Sequence, residues 1–135
     1  MAREFTLSIV APDRQVLDEA VQAAVIPGTE GYFGVWACHV PLIAALKAGY
    51  VEYVDTNNQR HYVAVDGGFA EVTGDRVSVL ADAALRAQDI DVSRAEQELE
   101  RARNALHGGD STMNSEQAVA EIEKAMNRLK VAKMS

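Results

Sequence analysis

Cysteine is nearly absent. Cys38 is the only one in 135 residues, so no disulfide can close within the chain. A metal site would have to draw on carboxylates or on His39, His61 and His107. Only Cys38 and His39 are neighbours, and adjacent residues of a strand point to opposite faces. They read as a small apolar thiol and a loop histidine rather than a nucleophile and its base. Positive charge is also scarce, with 13 basic residues against 20 acidic and a formal net charge of −7. Such a surface repels phosphate backbones, which excludes general nucleic-acid binding. No apolar run reaches the ~20 residues that span a bilayer. Met1-Ala2-Arg3-Glu4 has no apolar stretch of the signal-peptide kind. The chain is therefore expected to stay in a reducing compartment and to meet membranes only through a partner.

Proline, glycine and aromatic residues are few and unevenly placed. All three prolines and all eight aromatics fall within residues 1–69, and after Gly74 the remaining glycines are Gly108 and Gly109. Residues 1–84 hold 5 basic and 11 acidic side chains, and residues 85–135 hold 8 and 9. A Gly/Pro/aromatic-rich part over 1–84 thus precedes an Ala/Glu/Arg-rich part over 85–135.

The first part reads as short strands. Phe5, Leu7 and Ile9 alternate with Thr6, Ser8 and Val10, the period of a half-buried strand. Val21, Ala23 and Val25 alternate again and stop at Pro27-Gly28. Val51–Val54 and His61–Val65 flank Asp55-Thr56-Asn57-Asn58, a hairpin signal, and Phe69–Val72 and Val77–Leu80 flank Gly74-Asp75. Gly67-Gly68 reads as a bulge or corner. The pattern predicts an antiparallel β-sandwich or flattened barrel with a modest core. Gly28-x-x-Gly31-x-x-Gly34 precedes no helix and lacks the lysine of a phosphate loop, so it reads as structural. Asp13, Asp18 and Glu19 form no pair placed for acid–base work.

The second part reads as two helices. Val92, Ala95, Leu99, Ala102 and Leu106 recur at spacings of three and four, with Asp91 as N-cap or Ser93 to Glu96 as a capping box, and His107-Gly108-Gly109-Asp110 as the stop. Ala118, Ile122, Ala125, Leu129 and Ala132 form a second seam, flanked by Val119 and Met126 and opened either by Asn114 with Gln117 or by Ser115. An antiparallel hairpin follows. Glu98/Arg101, Glu100/Arg103 and Glu121/Lys124 are favourable i,i+3 pairs. The seam is rich in alanine, and a full Leu or Phe contributes roughly 1.5–3 kcal/mol where alanine contributes little. The hairpin is therefore expected to be a weakly committed arm on a firmer platform. Asp91, Arg94, Arg101 and Arg103 on one helix, and Lys124, Arg128, Lys130 and Lys133 on the other, suit a solvated charged face, an anion seat between helices, or docking to an acidic partner.

Several stretches, in this order, resemble the epsilon subunit of F-type ATP synthases. They are Gly31-x-x-Gly34-Val35, His39-x-Pro41-Leu42-Ile43, Ala45-Leu46-x-x-Gly49, Gly67-Gly68-Phe69-x-Glu71-Val72, Val77-x-Val79-Leu80-Ala81, Asp89-Ile90-Asp91-x-x-Arg94-Ala95 and Ala125-Met126-Asn127-Arg128-Leu129-Lys130-Val131. Tyr32 stands where an acidic residue is common, and Ala37-Cys38 replaces Pro-Gly. The resemblance implies a ten-stranded sandwich with a helical hairpin, and a non-catalytic central-stalk subunit on the cytoplasmic face of a bacterial plasma membrane, serving proton-driven ATP synthesis. It implies contact with the gamma subunit and c-ring through Gly31, Gly34, His39 and Pro41. It implies an arm that can extend toward the alpha and beta subunits and restrain ATP hydrolysis, with Lys124, Arg128, Lys130 and Lys133 meeting beta. It also implies regulatory ATP at Ile90, Asp91, Arg94, Ala95 and Arg128, with Lys124 where some relatives carry arginine. A free-standing, ATP-sensing binding module is the alternative.

Overall fold

The computed structural model describes residues 3–37, 41–108 and 113–134. Seven strands come first: β1 (Phe5–Ala11), β2 (Arg14–Gly28), β3 (Gly31–Val35), β4 (Leu42–Asp55), β5 (Arg60–Val72), β6 (Arg76–Ala81) and β7 (Ala84–Arg86). A single 3₁₀ turn, Ala87–Asp89, leads into α1 (Val92–Leu106) and α2 (Ser115–Ala132). Neighbouring strands run in the order β1-β6-β5-β4-β2-β3, and β1 also pairs with β2. Five strands therefore close on themselves as a barrel, with β3 attached to β2 and β7 to β5. Closure removes most of the unpaired edge that an open sheet would present.

The architecture is the flattened barrel and hairpin read from the sequence, with differences that have physical causes. Among the described residues seven strands stand where the resemblance implies ten, and β2, β4 and β5 are long, at 15, 14 and 13 residues. Pairing is antiparallel except between β1 and β6, which run parallel. The alternation Val21-Ala23-Val25 does not define one face. Gln22 is an extra residue in β2, since Val21 lies opposite Asp55 and Ala23 opposite Val54. The bulge turns the strand over, so Val21, Ala24 and Ile26 point inward. Gln22 donates its side-chain amide to the Asp55 carbonyl at 3.0 Å, tying the irregularity to β4.

The barrel interior is filled by Leu7, Ile9, Ile26, Val35, Val51, Val65, Val72 and Val79, all almost wholly buried. At Gly67 and Gly68 β5 passes from pairing with β7 to pairing with β6, and both glycines have positive φ, 114° and 128°. A methyl group at Gly68 would collide with the Leu80 carbonyl oxygen and lie 2.9 Å from the Ala81 Cα. Gly68→Ala is expected to destabilise the isolated chain by about 3 kcal/mol, from backbone strain and from sterics together. Urea unfolding of the two proteins checks this.

Both helices are capped as the sequence predicts. The Asp91 carboxylate accepts from the Arg94 N–H at 3.1 Å, and Asn114 and Gln117 form a reciprocal capping box. Gly108, at φ 83°, follows the last turn of α1. The seam is thinner than the periodicity suggests. Ala95, Leu99, Ala102 and Ala105 are buried on α1 while Val92 and Leu106 are exposed, and on α2 the buried residues are Ala118, Ala125 and Val131.

Candidate functional site

The joint between arm and barrel is small. Val131 of α2 is fully buried against Ala64 and Ala87, with Tyr50, Tyr62, Ile90 and Met134 packed around them. One valine buried from water contributes roughly 1.5–3 kcal/mol. Asn127 donates its side-chain amide to the Gly49 carbonyl at 2.8 Å. Lys130 lies 5.6 Å above the Tyr50 ring, and Tyr50 meets Tyr32 edge-on at 4.9 Å. The Tyr32 hydroxyl accepts the Tyr50 N–H at 3.2 Å. Tyr32 therefore braces β3 against β4, on which the arm packs.

The strongest polar tie is Arg128. One guanidinium nitrogen donates to Asp66 Oδ2 at 2.6 Å and the other to Glu98 Oε2 at 3.2 Å. The Arg128 side chain is 18% exposed and that of Asp66 only 6%. Burial pushes the Asp66 carboxyl above its ordinary range, although Arg128 and Lys124 pull it down. Glu98 also accepts from Arg94 Nε, 3.2 Å from its other oxygen. A chain of charge thus runs from Arg94 through Glu98 and Arg128 to Asp66, joining α1, α2 and β5.

Ile90, Asp91, Arg94, Ala95 and Arg128 all line one cleft of about 290 Å³, together with Leu85, Asp89 and Glu98. The five residues tied to nucleotide by resemblance are therefore neighbours in space, although Arg128 is 33 or more residues from the others in sequence. Lys124 lies 3.7 Å from Glu121, and Lys130 and Lys133 are exposed. Of the four residues assigned to a beta-subunit contact, Arg128 is turned inward in this conformation. Glu98 and Asp66 were missed as site residues. Glu98 stands four residues after Arg94, a spacing that places both on one helix face. Asp66 is the single charge in the otherwise apolar stretch from Val63 to Ala70.

A second surface lies on the barrel. Phe69 and Leu80 are paired across β5 and β6, and Ala45 of β4 lies opposite Phe69 with Ile43 two residues along. Ile43 is 74% exposed, and Phe69 and Leu80 are each 58% exposed. Three large apolar side chains on one outward face of adjacent strands make an unusual feature for a solvated barrel. Pro41, exposed, precedes Ile43, and Gly31 and Gly34 belong to β3 with Trp36 just beyond, 63% exposed. His39 and Cys38 lie outside the described residues. Among the described residues, no group of three His, Cys, Asp or Glu side chains is placed to hold a metal ion. No described helix is long and apolar enough to cross a membrane.

A closed barrel, a two-helix arm docked on it through few side chains, and an outward apolar face place the chain in the class of barrel-and-hairpin subunits. The family model for the ATP synthase delta/epsilon chain beta-sandwich domain matches residues 4–87, and that for the long alpha-helix domain of the same chain matches 88–133. The chain belongs to the ATP synthase delta/epsilon family, among its epsilon chains. It is 40% identical over 131 residues to the ATP synthase epsilon chain of Nitratidesulfovibrio vulgaris, covering 97% of each chain. It is 42% identical to that of Syntrophobacter fumaroxidans, covering 98% of each. A chain in the mitochondrial ATP synthase of Euglena gracilis, solved with OSCP, F1 and c-ring, superimposes with a TM-score of 0.80 at 25% identity, over 98% of this chain and 82% of that one. A chain in the central stalk and c-ring of the Tetrahymena thermophila enzyme shares the fold, with a TM-score of 0.58 at 10% identity over 97% and 98% of the two chains.

Proposed function

We propose that this chain is a non-catalytic central-stalk subunit, peripheral on the cytoplasmic face of a bacterial plasma membrane. In this reading its barrel binds gamma and rests on the c-ring, coupling ion flow to the alpha and beta catalytic subunits. Its hairpin restrains ATP hydrolysis. The observation that carries this is the contrast between two interiors. The barrel core includes Leu7, Ile9, Ile26, Val51, Val65 and Val79, while the arm docks through Ala64, Ala87 and Val131. The platform holds its shape when the arm leaves, because its core does not use the arm. Undocking costs little apolar area and frees Arg128 and Lys130 for an acidic surface on beta. ATP is the proposed regulatory ligand of the cleft. It would bind the folded arm only, and so return the population to that state.

The gamma contact is testable at the outward face. Phe69→Asp places a charge where the proposed interface is apolar, and the side chain is exposed, so the barrel itself is spared. Affinity of the chain for purified gamma should fall at least about tenfold, or ~1.4 kcal/mol. Unchanged binding would move the interface elsewhere on the barrel. The thermal melt of the variant should match that of the natural chain.

A further inference from the structure

The cleft already holds an anion, supplied by the chain itself. The Glu98 carboxylate is spread between two guanidinium groups, one oxygen on Arg94 Nε and the other on Arg128 Nη1, each at 3.2 Å. This is the arrangement in which two arginines clamp a phosphate, with a side-chain carboxylate in its place. The other acids around the two arginines play different parts. Asp91 is committed to capping α1, and Asp89 is an exposed residue of the turn before it. Asp66 approaches Arg128 from the barrel side and takes the nitrogen that Glu98 leaves.

We infer that Glu98 is a built-in occupant of the anion seat, which holds the folded arm without nucleotide and which a polyphosphate must displace. The inference rests on reading the cleft as a nucleotide seat and adds the residue that sets its affinity. With Glu98 in place, an entering triphosphate meets three carboxylates and two guanidinium groups already partnered. Without it, Arg94 Nε and one nitrogen of Arg128 are left facing the cleft. Arg128 still keeps its bond to Asp66, so the arm stays docked while the seat becomes vacant. The consequence is an arm whose folded state responds weakly to ATP, because folding and ligand binding draw on the same two arginines.

Calorimetric titration of the full-length chain with ATP, and separately with inorganic tripolyphosphate, tests this. Glu98→Gln keeps the side-chain shape and Glu98→Ala removes it. Glu98 is 37% exposed and lies within a helix, so both should fold. The expected result is ATP binding at least tenfold tighter in both variants than in the natural chain, reversed when Arg94→Ala is added. Tightening for tripolyphosphate as well would locate the gain at the phosphates. If the natural chain and both variants bind ATP equally, Glu98 does not occupy the seat, although the seat itself stands. If no protein binds millimolar ATP or tripolyphosphate, the nucleotide reading of the cleft falls and this inference with it.

Discussion

Removing residues 88–135 is expected to leave the synthase assembled and to raise its ATP hydrolysis about fivefold. That factor is the increase for an arm engaged in roughly four-fifths of the complexes, since only the remaining fifth turns over freely. Assembly survives because the barrel closes on itself through β1, β6, β5, β4 and β2, and its core includes no residue of either helix. The truncation uncovers Ala64, Ala87 and the rings of Tyr50 and Tyr62, a small patch. The check is the hydrolysis rate of purified complexes at saturating ATP, with subunit content compared on a gel. A complex that hydrolyses at the natural rate has no inhibitory arm. One that loses gamma shows instead that the helices are needed for assembly.

The second large effect belongs to Arg128. Arg128→Met keeps the length of the side chain and removes the charge that faces Asp66. A carboxylate only 6% exposed would then have no cationic partner at 2.6 Å. Losing one partner of a fully buried pair costs about 3–5 kcal/mol. The 18% exposure of Arg128 lowers this to about 2 kcal/mol of docking free energy, comparable with what Val131 supplies. A loss of that size shifts the docking equilibrium about thirtyfold toward the undocked arm, with faster amide exchange along α2 and unchanged exchange in β1, β5 and β6.

The pH dependence of that loss has a definite sign. Burial raises the Asp66 carboxyl above its ordinary value of 3.8 in the docked state. A group that binds its proton more tightly when docked favours docking at low pH. That contribution is fully present below the undocked value and is lost as pH rises through the raised docked value. Without Arg128 the docked value climbs further, so the variant should dock in acid and release as pH rises through that raised value. Adding Asp66→Asn should restore docking at neutral pH and flatten the dependence. If Arg128→Met keeps the natural exchange pattern at every pH, the ion pair does not hold the arm.

What the sequence discloses here is set by the distance over which each feature is decided. The caps at Asp91 and at Asn114-Gln117 are settled within four residues, and they stand where expected. The hairpin turn at Asp55–Asn58 is equally local. The Asp55 carboxylate accepts the Gln59 N–H, the bond that does most to hold its pKa below the ordinary range, and also pairs with His61 and accepts the Asn57 N–H. The segment Leu42–Tyr50 was not read as strand. Leu-Ile-Ala-Ala-Leu-Lys-Ala has helix-forming composition, and pairing with β5 across Leu42–Ala48, joined by β2 at Leu46, makes it extended. The parallel pairing of β1 with β6 joins residues about 70 apart, and nothing local encodes it. Leu106 belongs to the expected seam, but Ala105 is buried there and Leu106 is exposed.

The site divides in the same way. The Ile90–Ala95 segment carries its own signal, and Arg128 lies in a stretch that resembles its relatives. The pairing of Arg128 with Asp66, 62 residues away, exists only in the folded chain. Glu98 was visible as a partner for Arg101 on α1, and its role in linking Arg94 to α2 depends on how the helices face each other. Arg101 itself lines a larger groove between the helices with Gln97, Gln117 and Glu121.

Regulation by the arm requires that it exchange its contacts with the barrel for contacts within the motor. The direct measurement is single-molecule energy transfer between dyes at Gln59→Cys, by the barrel hairpin, and Lys133→Cys, at the end of α2, with Cys38 replaced by serine. It is made first in the free chain and then in the assembled synthase. One short distance is expected in the free chain and two populations in the synthase, the longer one depleted by Glu98→Ala once ATP is added. A single short distance in both settings, with hydrolysis still restrained, would show that the arm does not move.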